Sequence, residues 1–369
     1  MAQKPDLCHS KSHIDPGMKP LISAIMFAAG IFGNVAALVI LEIRRRKSIR
    51  SGDTRRRSLF HVLITTLVVT DLAGTCFVSP LVQHSYSQNT TLVGMEQRNR
   101  SVCKYFGFSM TFFSLATMSL LFMMALERGF SIGYPYLYSR HVTKKCAYIT
   151  IPSVFLFCVL FCLLPFAGFG TYVQYCPGTW CFIDMKPEEP VHRAYANLYA
   201  TLMLVLVLAT VACNCFVVYQ LFKMYQRRRR NGSVMVTTRP SSERKATSMA
   251  EEVEYLILLV FMTIIFMICT LPLVIRVYIN SLRNDEFHLQ DLVALRFISV
   301  NSIIDPWVFI LLSPSVLHFF WGSVCRFPFG ASRGSVFKTS IAKENAQPNV
   351  ELTCPTWQYT DNFQTAEAV

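Results

Sequence analysis

The sequence predicts an all-α membrane protein: a seven-transmembrane helix bundle with its N-terminus outside. Three observations predict it. Of 369 residues, 53% are hydrophobic and only 15% charged, against about 25% charged in soluble domains. Mean hydropathy is positive, at +0.38. The net charge of +13 sits in short blocks between long uncharged runs, so it describes topology rather than a nucleic-acid surface. A soluble enzyme, a disordered chain and a nucleic-acid binder are excluded.

A spanning helix needs about 20 mostly apolar residues, and seven runs meet this. They are Leu21 to Leu41, Leu59 to Val82, Tyr105 to Leu126, a run beginning at Cys146, Ala194 to Phe222, Tyr255 to Ile275 and Leu292 to Leu312. The fourth run stays uncharged to Ile183, which is too long for one span. Pro165 and the Gly168–Gly170 stretch therefore end the helix, and an ordered loop follows. The expected organisation is an extracellular N-terminus over 1–20, the bundle over 21–313, an amphipathic surface helix over 314–325 and a disordered cytoplasmic tail over 326–369.

Orientation follows from the loops. With the N-terminus outside, the inner loops 42–58, 127–145 and 223–254 carry 8, 4 and 8 Lys and Arg. The outer loops 84–104, 171–193 and 282–291 carry 3, 2 and 1. That is the bias of a multi-pass protein with cytoplasmic basic loops. The first 20 residues hold Pro5, Pro16 and Pro20 and no apolar core, so the first span is expected to act as an uncleaved anchor. Asn89-Thr-Thr and Asn99-Arg-Ser are glycosylation sequons on the outer side. Asn231-Gly-Ser falls beside Arg227–Arg230 on the inner side and is read as an accident. Most cysteines lie inside spans and suit apolar packing. Cys8, Cys103, Cys176 and Cys181 fall outside, where oxidation is allowed. No CxxC pair at metal spacing, HExxH or phosphate-binding glycine loop occurs, so neither metal nor cofactor is expected.

Ionisable groups inside spans are costly and mark function. Asp71, Arg296 and Asp305 sit well inside; Glu127 and Arg128 close span three within reach of water. Arg296 lies about 7–8 Å into span seven and Asp305 about 13 Å deeper, too far apart to pair. Arg296 either snorkels to the interface or awaits an anionic ligand, for which its planar fork suits a carboxylate. Asp71 and Asp305 are a mid-membrane polar pair. Either a sodium ion or a shared proton satisfies them, or each is protonated and bonded to Asn34, Asn301 or Thr117.

Gly33-Asn34, Asp71 and Glu127-Arg128, in this order across the spans, resemble the rhodopsin-like G-protein-coupled receptors. Two longer stretches are more specific. Gln174-Tyr-Cys-Pro-Gly-Thr-Trp-Cys-Phe182 and Leu295-Arg-Phe-Ile-Ser-Val-Asn-Ser-Ile-Ile-Asp-Pro-Trp-Val-Phe309 resemble the two signatures of the prostanoid receptors. The resemblance covers about residues 21–325. Ser248-Met-Ala-Glu-Glu and Ser302-Ile-Ile-Asp-Pro-Trp look most like the second-subtype branch of the prostaglandin E receptors, with the prostaglandin D and prostacyclin branches as alternatives.

The resemblance implies a plasma-membrane receptor, not an enzyme, that takes prostaglandin E2 and raises cyclic AMP through Gs. It implies that Arg296 binds the ligand carboxylate, helped by Thr179 and Tyr86. Ser23, Thr75 and Ser299 would meet ring or chain hydroxyls. It implies a Cys103–Cys181 disulfide, with Cys8–Cys176 a weaker second pair, and a G-protein switch at Glu127 and Arg128. Departures from the wider family are Cys269-Thr-Leu-Pro272 without Trp, Asp305-Pro-Trp-Val-Phe309 for the usual Asn-Pro-x-x-Tyr, and Gly129 after Arg128, which leaves the packing of that corner open. A flexible 20-carbon acid needs apolar wall, for which Met110, Phe112, Phe113, Met118 and Ile303 are candidates.

On the inner face, basic loop three would attract lipid headgroups or dock the G protein, with Thr247 and Ser248 as phosphorylation candidates. Cys325 is a palmitoylation candidate. An organic-anion transporter is the remote alternative. The absence of an internal repeat disfavours it, and no nucleophile–base cluster in the spans supports an intramembrane enzyme.

Overall fold

The computed structural model describes residues 8–14, 20–50, 58–96, 98–141, 144–231, 240–282 and 288–311. The expected surface helix over 314–325, Cys325, the tail over 326–369 and the side chains of Thr247 and Ser248 lie outside the described residues.

Among the described residues, seven helices are long and apolar enough to cross a membrane. They belong to α1 (Leu21–Arg50), α2 (Ser58–Ser87), α4 (Ser101–Gly133), α6 (Lys144–Leu163), α7 (Pro190–Asn231), α8 (Pro240–Leu282) and α9 (His288–Leu311). Two short helices, α3 (Leu92–Met95) and α5 (Pro135–His141), lie in the loops before and after α4. The spans suit helices because lipid offers no partner for a backbone N–H or C=O, and a helix bonds its own. Pro80, Pro152, Pro272 and Pro306 interrupt that ladder inside four of the spanning helices.

The expected ends hold in some places and not in others. α6 stops at Leu163 and a 3-10 turn carries the chain to Ala167, where Pro165 ends the helix as expected. The loop beyond it is not irregular. It forms an antiparallel hairpin of β1 (Tyr172–Tyr175) and β2 (Trp180–Ile183), with Gln174 opposite Cys181. An all-α reading had no signal for it, since four-residue strands fall below any reliable period. α8 runs seven residues past the expected Ile275, to Leu282, which has a consequence at the site.

Each helix has a place set by burial. Two-thirds of the most apolar window of α4 is buried, against 17% for α6. α4 is therefore the central post, packed on α2, α6, α7 and the hairpin, while α6 stands at the edge. α1 packs on α2 and α9, and α8 lies between α7 and α9. Small residues set two close approaches. A Cβ at Gly33 would lie 2.8 Å from Trp307 Nε1, so α9 packs directly on α1. A Cβ at Gly133 would lie 2.6 Å from Phe216 Cε1 of α7, whereas one at Gly129 would be 3.9 Å from the same ring. The corner that Gly129 left open is thus governed by Gly133.

Candidate functional site

The loops at the N-terminal end of α4 form a fastened cap. Disulfides join Cys103 to Cys181 and Cys8 to Cys176, with Cα separations of 5.4 and 5.1 Å. The first ties the hairpin to the end of α4. The second ties the segment 8–14 to the hairpin loop. Gln174 Nε2 donates to the carbonyls of Cys8 and Lys11, at 3.0 Å each, and Gln174 Oε1 accepts from Val93 N at 2.9 Å. Thr91 N donates to Ser12 O. A Cβ at Gly94 would collide with Ser12 O, so only glycine lets the segment lie this close. Asn89 and Asn99 are both exposed.

Beneath this cap, a cavity of about 510 Å³ opens between α1, α2, α4 and α9. Its walls are mostly apolar, with Met26, Val78, Met110, Phe113, Phe266 and Ile303 among them. Of the six expected ligand residues, Arg296, Tyr86, Ser23, Thr75 and Ser299 line it. Thr179 does not. It is fully buried, and its Oγ1 has no hydrogen-bond partner among the described residues; its neighbour Trp180 reaches the cavity instead. Phe112 and Met118 pack elsewhere: Phe112 against Phe108, Phe113 and Phe155, and Met118 in the core.

Arg296 is half-buried, with no ion pair or hydrogen bond from its side chain among the described residues. The surrounding hydroxyls are anchored. Thr75 Oγ1 donates to Asp71 O at 2.9 Å and Ser299 Oγ to Leu295 O at 3.1 Å. Ser23 Oγ accepts from Gln83 Nε2 at 3.1 Å. A hydroxyl whose proton is committed to a backbone carbonyl still offers lone pairs. The chamber therefore combines a free fork of donors, fixed acceptors and apolar wall, which suits an elongated apolar acid.

Sequence reasoning missed several groups here. Ser114, Trp180 and Ser302 also line the cavity; each looks like ordinary helix or loop packing in a linear reading. More important is Arg276, placed outside span six because the apolar run ends at Ile275. It lies inside α8 and is buried, so Arg296 is not the only basic residue within a span. Arg276 Nε donates to Asp291 Oδ1 at 2.8 Å, its Nη1 to Gln290 Oε1 at 2.8 Å and its Nη2 to Asn280 Oδ1 at 3.2 Å. Lys186 Nζ approaches Asp291 Oδ2 at 3.5 Å. The four-residue step from Arg276 to Asn280 was the available signal, since it puts both on one helix face.

Asp71 and Asp305 are both buried, and Asp71 lines the cavity. Thr117 Oγ1 donates to Asp71 Oδ1 at 3.0 Å, and Asn301 Nδ2 to Asp305 Oδ2 at 3.1 Å. Asn34 bonds neither; its Nδ2 donates to the carbonyls of Gly30 and Ser302. Each carboxyl keeps one oxygen without a hydrogen-bond partner among the described residues. The two lie within electrostatic reach of each other.

At the far end of α4, Arg128 holds Glu127 with two bonds, Nε to Oε2 at 2.5 Å and Nη2 to Oε1 at 2.8 Å. Tyr138 of α5 donates to Glu127 Oε1 at 2.6 Å. The guanidinium sits 4.7 Å above the Phe60 ring. Both side chains are only 4% exposed. The expectation of a pair within reach of water is corrected: α5 folds back and covers it.

Comparison with known proteins agrees with this architecture. The description "7 transmembrane receptor (rhodopsin family)" matches residues 34–309. The chain is 48% identical to the prostaglandin E2 receptor EP2 subtype of Canis lupus familiaris over 86% of this chain and 88% of that one. It is 42% identical to the prostacyclin receptor of Mus musculus, over 84% and 71%. Squid rhodopsin shares the fold with a TM-score of 0.68 at 18% identity, over 83% and 80%. The chain belongs to the rhodopsin family of seven-transmembrane receptors and, within it, to the prostanoid receptors.

Proposed function

We propose that this receptor takes prostaglandin E2 with its N-terminus outside the plasma membrane, couples to Gs and raises cyclic AMP. One observation carries the reading: Arg296 stands half-buried in an apolar chamber, with no acid paired to it among the described residues. A carboxylate there gains a bidentate partner out of water. Tyr86, Ser23, Thr75 and Ser299 surround the same space with hydroxyls for the ligand's own oxygens, and Trp180 reaches it from the hairpin. Glu127, Arg128 and Tyr138 form a closed lock at the inner end, which a G protein would open. Asp71 and Asp305 hold a sodium ion or share a proton, and Asn89 and Asn99 carry glycans. The sequence similarity to prostaglandin E2 receptors supports the E ligand over its relatives.

The test is a cyclic AMP dose–response panel in receptor-expressing cells, with prostaglandins E2 and D2 and a prostacyclin analogue. Prostaglandin E2 should be the most potent. A leading response to either of the others reassigns the subtype, and ligand-independent uptake of a labelled anion would favour a transporter.

A further inference from the structure

A second cavity lies away from the chamber. It is an open groove of about 780 Å³ between the N-terminal end of α4 and the C-terminal end of α6. These two ends are at the capped face of the bundle. Its rim carries Arg98, Arg100 and Lys104, all exposed. None makes an ion pair or side-chain hydrogen bond among the described residues, including to Glu96. Its floor is Tyr105, Phe108, Leu163 and Phe166. Phe108 meets Phe166 edge-on, with ring centres 6.2 Å apart, so the floor is preassembled.

Charged rim and apolar floor meet at the ends of the two spans. Arg98 and Arg100 precede the spanning segment that starts at Ser101, and Lys104 sits one turn inside it. Beside them, Tyr105, Leu163 and Phe166 lie at the adjoining ends of the spans Ser101–Gly133 and Cys146–Ala167 and are exposed by 42, 44 and 54%. Three cations at a membrane boundary beside an aromatic trough complement an amphiphile with one anionic head and one chain. A zwitterionic lipid would bring its own cation against the rim.

We propose that this groove binds a single-chain anionic amphiphile of the fatty-acid class, its carboxylate among Arg98, Arg100 and Lys104 and its chain along Tyr105, Phe108 and Phe166. The site is separate from the chamber around Arg296 and does not depend on which ligand that chamber takes. Only the assignment of the groove to the outer leaflet rests on the orientation proposed above. Bilayer nanodiscs expose both leaflets, so an error of orientation would not abolish binding.

The test uses the full-length receptor in phosphatidylcholine nanodiscs and a long-chain fatty acid bearing a photoreactive diazirine. Labelled residues are located by peptide mass spectrometry. The expected result is saturable labelling within 105–108 and 163–166, competed by excess oleate. Arg98→Gln/Arg100→Gln/Lys104→Gln should lower it about tenfold, whereas the methyl ester of the probe should label wild type and variant alike. Retained saturable binding of a neutral chamber ligand shows that the variant is folded; if folding fails, the single Lys104→Gln variant replaces it with a smaller loss. Because Asn99 shares the rim, saturable labelling is required of wild type and Asn99→Gln. Labelling elsewhere, equal labelling by acid and ester in wild type, or no change in the variants overturns the proposal.

Discussion

Arg276 of α8 and Asp291 of α9 form a buried ion pair, Nε to Oδ1 at 2.8 Å, five residues before Arg296 on the same helix as Asp291. Five residues are about 7.5 Å of helix rise. The pair fixes the rotation of α9 relative to α8 just where Arg296 must face the chamber. Asn280 reinforces it by donating to Asp291 Oδ1 at 3.0 Å.

Asp291→Asn leaves Arg276 without its counter-charge, and breaking a buried pair from one side costs about 3–5 kcal/mol. The purified receptor should melt at a lower temperature, and ligand affinity should fall about tenfold, about 1.4 kcal/mol. Arg276→Gln/Asp291→Asn should lose much less than the sum of the single variants. Additive losses would show that the two residues act separately.

Arg296→Ala should cost an acidic ligand about 2–5 kcal/mol of binding. Arg296→Lys keeps the charge without the fork and should fall between. A neutral ester of the same ligand should bind wild type more weakly, yet lose little on going to the alanine variant. Competition binding on surface-expressed receptor reads both losses. If acid and ester lose equally, Arg296 is structural.

Glu127→Gln removes the charge that holds Arg128. Because Tyr138 and Phe60 cover the pair, its loss should matter more than that of an exposed pair, worth about 0–1 kcal/mol. Basal cyclic AMP at matched surface expression should rise. Tyr138→Phe deletes one of the bonds to Glu127 and should raise it by a smaller amount. Unchanged basal signalling in Glu127→Gln would exclude a locking role.

The two disulfides should differ in their effect. Cys103→Ser or Cys181→Ser frees the hairpin from α4, and loss of a native disulfide costs about 2–5 kcal/mol, so surface binding should vanish. In Cys8→Ser the segment 8–14 keeps its bonds to Gln174 and Thr91, so binding should weaken without disappearing. Surface immunostaining with saturation binding separates the two outcomes.

Gly133→Ala puts a methyl group against Phe216, whereas Gly129→Ala meets only ordinary contact. The first should destabilise the receptor. The second should be neutral or stabilising by up to about 1 kcal/mol, the gain of alanine over glycine in a helix. Thermal melting of both variants decides which glycine governs the corner.

Sequence alone determined the seven spans, because a bilayer demands about 20 apolar residues per crossing and penalises every charge within them. The same penalty made Asp71, Arg296 and Asp305 conspicuous; Tyr86, Ser23, Thr75 and Ser299 followed only from the family resemblance, and they line one chamber with Arg296. Tertiary structure alone decided which side chains face one another. Lipid is as apolar as a helix interface, so spans that are hydrophobic all round carry little signal of their rotation. Phe112 and Phe113 are equivalent in sequence, yet only Phe113 reaches the chamber. Arg276 was hidden for a related reason: its cost is met by Asp291, on the next spanning helix, and a partner across helices has no spacing rule to reveal it. Glu127 and Arg128 were legible as neighbours, but their burial depended on α5 folding back over them, a contact that only the assembled bundle makes.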